Sequence, residues 1–204
     1  MSTVGRPRQH GDHTRRALLE AAERIVEAQG VDALSVRGVA DAVGTSTRAV
    51  YTVFGSKEGL LVTLGGHAFA LLGAAVDALP VTDDPVTDLV NAGAVAFRNF
   101  VVEHPALFGL GVQRIAIPAA IAAGFSAPAS AALSSLHSRI NRLASYDGVG
   151  ARSLGDATWE FHAICEGLGA VELRCLMPQT RGRELWDDAL RSLVTGWRYT
   201  RPSA

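Results

Sequence analysis

A chain of 204 residues, 48% hydrophobic and 19% charged, is long enough for a packed core and too apolar to stay disordered. Its formal net charge of −1 excludes a chain that is basic throughout, and two cysteines exclude a disulfide scaffold. The charge is uneven, however. Residues 1–57 carry eight Lys/Arg against six Asp/Glu, whereas the remainder carries eleven against fourteen. In the first sixteen residues Arg6, Arg8, Arg15 and Arg16 stand against Asp12 alone. A basic end on a mildly acidic body points to nucleic acid. The opening Met-Ser-Thr-Val-Gly-Arg-Pro-Arg has no apolar signal core behind it, so a cytoplasmic location is expected.

Apolar spacing and end signals predict an all-α chain of about nine helices, with no strand pattern and no repeat. The first helix is expected over 13–29, with Leu18, Ala22, Ile25 and Val26 inward, Arg15, Arg16, Glu23 and Glu27 elsewhere, and Gly30 as its stop. A short helix over 36–43 follows Ser35 as N-cap, and Gly44 makes a turn. Another short helix, over 46–54, is capped by Thr45 or Ser46 and stopped by Gly55. Ser56 can cap the next, over 57–79. Residues 59–76 hold no Asp, Glu, Lys or Arg, near the length of a membrane span. Four glycines, Thr63 and His67 within that stretch, and no flanking basic cluster, favour a buried central helix and no membrane.

After a Thr/Asp/Pro loop over 80–85, helices are expected over 86–103 and from Pro105, where a missing N–H costs nothing. Pro118, Gly124 and Pro128 interrupt the Ala-rich stretch that follows. The last helices are expected over 128–144, 151–176 and 181–199. Cys165 and Cys175, ten apart on one helix, would lie roughly 15 Å apart, too far to bridge.

The informative block is residues 34–54, two short helices joined by a glycine turn. Val36, Val39, Ala40 and Val43 form one inner face, and Ala49, Val50 and Phe54 the other. This leaves Thr47, Arg48, Tyr51 and Thr52 facing outward at the start of the second helix, where a recognition helix meets base edges. Arg can fork onto guanine, and Thr offers a hydroxyl or a methyl. Lys57 and free backbone N–H groups at the next helix start suit a phosphate. Arg6 and Arg8, flanking Pro7 in an arm expected to be disordered, could follow the backbone or enter a minor groove. The expected DNA-binding set is Arg6, Arg8, Ser35, Arg37, Thr45, Ser46, Thr47, Arg48, Tyr51, Thr52 and Lys57.

On these residues a resemblance becomes specific. Ala49-Val-Tyr-Thr-Val-Phe-Gly-Ser-Lys-Glu-Gly-Leu60 resembles the end of a TetR (tetracycline-repressor) family DNA-binding domain, Leu34-Ser-Val-Arg-Gly-Val-Ala40 its second helix, and Gly5-Arg-Pro-Arg8 its opening. Gly38 departs from the family's usual helix-favouring residue and removes a capping box with Ser35. Phe97 to Phe108 is similar to the family's fifth-to-sixth helix junction. Trp159 to Leu173 is similar to a subgroup with a Trp-His-Gly signature, although Ala163 follows His162 here and the glycines come at 167 and 169.

The resemblance implies a helix-turn-helix domain over 1–57 and a ligand-binding, dimerising helical domain over 58–204. It implies a homodimer on a palindromic operator in double-stranded DNA, released by a small hydrophobic effector, with no cofactor and no enzymatic activity. The dimer is expected through the last two helices, using the glycines at 167 and 169 and the apolar set Leu185, Leu190, Leu193, Val194 and Trp197. Ligand-binding candidates are Phe97, His104, Phe108, Arg114, Trp159 and His162. Arg114 is the sole charge between Glu103 and Arg139, so it either snorkels to the surface or meets an anionic ligand group. His162 and Glu166 lie one turn apart but fall short of the three or four ligands that a metal wants. An enzyme is disfavoured by the lack of a phosphate loop, a nucleophile elbow or a Cys/His set. Two alternatives stay open: a DNA-binding protein with no effector, and a partner-binding protein that has lost DNA binding.

Overall fold

The computed structural model describes residues 7–114 and 118–198, and among these there is no strand. Side chains are described for residues 11–114, 118–178 and 180–198. Ten longer helices and two 3-10 turns follow one another among the described residues, and most of the helices begin or end on a local device. α1 (Pro7–Gln29) starts six residues before the sequence expectation. Pro7 suits a first helical turn, so the backbone at Arg8 is helical and not a disordered arm. α2 (Val36–Val43) is capped by Ser35, whose hydroxyl accepts from the Gly38 N–H at 3.0 Å. Gly38 therefore leaves the cap itself intact. Gly44, at φ 70°, makes the left-handed turn into α3 (Thr47–Phe54), which Ser46 caps. Ser56 caps α4 (Lys57–Asp77).

α5 (85–103) opens on Asp84 as N-cap and Pro85, and runs in π register over Ala92–Phe97. α6 (105–112) passes from α to π register at Phe108–Val112. The tenth helix, beyond the nine expected, is α7 (Ala119–Ala123), a single turn between Pro118 and Gly124. α8 (Ser126–Asp147) begins two residues before Pro128. α9 (Leu154–Leu173) is shorter at both ends than the 151–176 expected. Ser153 caps its start, and the left-handed backbone of Cys175, at φ 55°, lies just past its end. α10 is Gly182–Trp197.

The apolar helix α4 is the molecule's axis, packed by α1, α3, α5, α6, α7 and α8. It is the one described helix long and apolar enough to cross a membrane, and Leu60, Leu64, Ala68, Phe69 and Leu72 lie in the core. Its glycines are contact points. A Cβ on Gly65 would stand 2.3 Å from the Phe125 ring.

α9 and α10 form an antiparallel hairpin pinned by two matching bonds. The indole N–H of Trp186 donates to Glu172 at 2.7 Å, and that of Trp197 donates to Glu160 at 2.8 Å. Both indoles are fully buried, so each needs a partner for its N–H. Arg98 of α5 joins the first pair, with its Nη2 2.6 Å from Glu172, and Arg152 joins the second through its Nε at 2.7 Å. Leu190, Val194 and Trp197 thus fill the chain's own core. This corrects their expected place in a dimer face: the helix carries its apolar stripe inward, and its outer residues Glu184, Asp188, Ser192 and Thr195 are polar and exposed.

Asp88 on α5 is a buried carboxylate, 3% exposed. It accepts from the Thr82 N–H at 2.8 Å, the Thr82 hydroxyl at 2.9 Å and Arg142 at 2.5 Å, tying the 80–85 loop to α8.

α1 meets the body through carboxylates expected to face elsewhere. Glu27 accepts from the N–H groups of Ala106 and Leu107, both at 2.9 Å, and so caps α6. Glu23 lies 3.3 Å from His67 of α4 and 3.2 Å from His104 at the α5–α6 corner.

Candidate DNA-binding face and effector pocket

The α2–turn–α3 unit presents one polar face. Val39, Ala40, Val50 and Phe54 are buried against α1, whose Leu18, Ala22 and Val26 are also buried. Thr47, Arg48, Tyr51 and Thr52 are exposed on the other side of α3, with Arg37 and Lys57 exposed beside them. Thr45 is half-buried in the turn, and its N–H donates to the Ala40 carbonyl at 2.9 Å. Ser35 and Ser46 are exposed but spend a lone pair on their caps. Thr52 spends its hydroxyl proton on the Arg48 carbonyl at 2.8 Å, so its methyl and remaining lone pairs are what it offers outward. Arg37 makes an exposed pair with Asp41 at 3.7 Å. Arg15 stacks over the Phe54 ring at 5.4 Å and donates to the Val53 carbonyl, placing a cation at the C-terminus of α3. Arg6 lies outside the described residues, as does the side chain of Arg8.

A cavity of about 270 Å³ lies in the body, walled by α4, α5, α6, α8 and α9. Phe97, Arg114, Trp159 and His162 line it together with Phe69, Leu72, Leu136 and Phe161. His104 and Phe108 do not line it. Phe108 is fully buried one layer behind, edge-on to Phe97 with centroids 6.1 Å apart. His104 turns instead to Glu23. Phe108 opens the π stretch of α6, from whose far end Val112 and Arg114 reach the cavity, whereas His104 lies before α6 at its corner with α5. Arg114 itself adopts a left-handed backbone, φ 54°, at the end of α6.

The cavity's polar groups are unusual in their titration. Burial pushes the His162 pKa down, which keeps the imidazole neutral at pH 7. Burial pushes the Glu166 pKa up, and the Arg114 charge partly offsets this. Trp159 packs edge-on to His162, with centroids 5.8 Å apart, and is 60% exposed at the cavity's edge. Cys165 is fully buried at the cavity wall, and burial pushes its thiol pKa up, away from a reactive thiolate. Among the described residues no three His, Cys, Asp or Glu side chains gather where a metal could sit.

Residues 18–64 match the family model for bacterial regulatory proteins of the tetR family. No curated protein matches this chain in sequence. Solved structures share its fold. The TetR transcriptional regulator SCO7222 from Streptomyces coelicolor is 20% identical with a TM-score of 0.68, over 93% of this chain and 99% of its own. The tetR-family regulator PfmR from Thermus thermophilus is 21% identical with a TM-score of 0.64, over 87% and 97%. RolR, solved with resorcinol, is 16% identical with a TM-score of 0.66, over 96% and 98%. These likenesses establish the architecture: an N-terminal helix-turn-helix continued by a helical body.

The tetR-family match runs from Leu18 of α1 to the second turn of α4. It takes in the whole exposed face from Ser35 to Lys57 and none of the cavity residues. Sequence reasoning missed Glu166 as a cavity residue and both carboxylates of α1. For Glu166 the signal was its i, i+4 spacing from His162, which puts the two on one face. For Glu23 and Glu27 no local signal existed, since their partners are 44 to 81 residues away in the chain.

Proposed function

We propose that this protein is a ligand-responsive transcriptional regulator of the TetR type. In this reading it is a cytoplasmic repressor, not an enzyme. It binds a palindromic operator as a homodimer through α3 and releases it when a small, largely hydrophobic effector enters the body. The observation that carries the reading is the exposed Thr47–Arg48–Tyr51 face of α3 in a helix-turn-helix that matches the tetR-family model. The largely apolar cavity favours an effector over a ligand-free DNA-binding protein. The helix-turn-helix domain then covers 1–57 and the effector domain 58–204, with the boundary at Lys57, the first residue of α4. The Trp-His-Gly subgroup remains the finer reading, supported by the Trp159–His162 contact. Release follows if the effector favours one separation of the two recognition helices over another.

The deciding experiment selects bound fragments from the source organism's genomic DNA. A shared inverted repeat is expected, and no enrichment of any sequence would reject the reading. On that operator Lys57→Ala should weaken all sequences alike. It should also shallow the salt dependence by about one phosphate per subunit, measured as the slope of log affinity against log salt. An unchanged slope would remove Lys57 from the phosphate contacts.

For the dimer we keep Gly167 from the expected set and add its exposed neighbours on α9. Gly169 is used within the chain, where a Cβ would meet Val101 at 3.0 Å and Phe108 at 3.2 Å. Gly167 faces open space, with nothing within 4 Å of its Cβ. It belongs to an exposed, uncharged stripe on α9 with Trp159, Ala163, Ile164 and Val171, and an isologous contact along that stripe would cover it. Gly167→Glu exchanges glycine for a helix former worth about 1 kcal/mol in a helix interior, yet puts a charge on the stripe. Sedimentation should give twice the chain mass for the wild type and a folded monomer for G167E. A dimer that survives the substitution would place the interface elsewhere.

A further inference from the structure

The cavity's polar groups sit at one end of an otherwise apolar space. His162 and Glu166 stand one turn apart on α9, with their nearest nitrogen and oxygen 3.6 Å apart, beyond hydrogen-bond length. Arg114 reaches the same end from α6 and acts on the Glu166 carboxylate. Arg114 brings a positive charge toward the Glu166 carboxyl, whose burial opposes its ionisation, so this end carries no net negative charge, and the neutral His162 offers one donor and one acceptor nitrogen. A ligand carboxylate would gain Arg114 but face Glu166. A ligand ammonium would gain Glu166 but face Arg114. A hydroxyl meets neither conflict, since it can donate to Glu166 while accepting from Arg114 or His162.

Size narrows the class further. The cavity's volume is about 270 Å³. A dry apolar cavity of about 150 Å³ holds one benzene, so this space holds one substituted ring or two fused rings. Phe69, Phe97 and Trp159 give such rings aromatic walls.

We propose that the cavity takes a neutral, hydroxyl-bearing molecule of one substituted or two fused rings, its hydroxyl set among Glu166, His162 and Arg114 and its rings against Phe69, Phe97 and Trp159. This deepens the effector reading above and rests on it.

Four probes of one shape test the idea by calorimetry on the full chain at pH 7: 2-naphthol, naphthalene, 2-naphthoate and 2-naphthylmethylammonium. The naphthol should bind at least about tenfold more tightly than each of the others, as expected for a hydrogen bond to a charged acceptor. In Glu166→Leu its affinity should fall to that of naphthalene, while naphthalene binding persists and shows that the pocket is formed. If that variant does not fold by circular dichroism, Glu166→Gln replaces it, and naphthol affinity should fall severalfold while naphthalene affinity holds. The proposal is overturned if the naphthoate or the ammonium binds tightest. It is equally overturned if naphthalene matches the naphthol, if no probe binds, or if a folded variant leaves naphthol affinity unchanged. Operator selection run in parallel separates the two ideas. An operator bound with the wrong probe ranking sinks the ligand class alone, whereas no selected operator sinks the regulator reading itself.

Discussion

Asp88→Ala should destabilise the protein by about 2–4 kcal/mol in urea or thermal unfolding at pH 7. The side chain is nearly inaccessible and holds three donors, the Thr82 N–H, the Thr82 hydroxyl and Arg142. Removing it takes the acceptor from the Thr82 N–H and hydroxyl and leaves the Arg142 guanidinium without its carboxylate. The estimate stays below that for a fully buried ion pair because the Arg142 side chain is 36% exposed. The effect should depend on pH with a definite sign. Burial raises the Asp88 pKa, but the bonds from Thr82 and Arg142 and the Arg142 charge outweigh it, and the net shift is downward. A depressed folded pKa means that the stabilisation is fully present above the unfolded carboxyl range, near pH 4. It is lost as pH falls through the lower folded value. Asp88→Asn, which keeps the shape, should therefore differ most from wild type near neutrality, and the gap should close in acid. A gap that widens below pH 4 would contradict this account.

Arg48→Ala should weaken operator binding by about 1–3 kcal/mol, some five- to 150-fold, and relax preference at one or two positions of each half-site. Arg48 is exposed in the first turn of α3, and no described residue packs on it as Arg15 does on Phe54. Its loss should leave thermal stability unchanged within about 0.5 kcal/mol. Fluorescence anisotropy on the selected operator and on single-base variants reads both effects. Unchanged affinity and preference would mean that α3 does not read bases with this side chain. The contrast with Lys57 matters here, since a phosphate contact weakens every sequence equally and a base contact does not.

The parts of the fold legible in the sequence are those fixed within four residues. Ser35, Ser46 and Ser56 each cap a helix by accepting from the N–H three residues on, a pattern that needs no knowledge of the rest of the chain. Gly44 and Gly55, both at positive φ, end α2 and α3 for the same reason. The cavity was half legible. Phe97, Arg114, Trp159 and His162 line it, but Phe108 and His104 do not. The missing information was register. A 3.6-residue period misplaces residues in a π turn, where the bond spans five, and both α5 and α6 carry such stretches beside the cavity. Ala92 and Phe97, five apart, face the same space in consequence. The Trp–Glu bonds that join α9 and α10 were invisible for another reason. A solvated glutamate and one that accepts from an indole look alike in a sequence until the indole is placed, and Trp197 lies 37 residues from Glu160.

The carboxylates that α1 extends to the body bear on engineering. The proposed function invites chimeras in which one DNA-reading head is grafted onto another sensor. A graft cut at Lys57 would carry Glu23 and Glu27 onto a foreign surface. It would also leave the Ala106 and Leu107 N–H groups of the original body uncapped, because Glu27 is what they bond. Those two amides sit at the start of α6, whose far end carries Val112 and Arg114 to the cavity. A working exchange of heads would therefore have to transplant α1 together with its matching corner, His67 and residues 104–107, as a single unit.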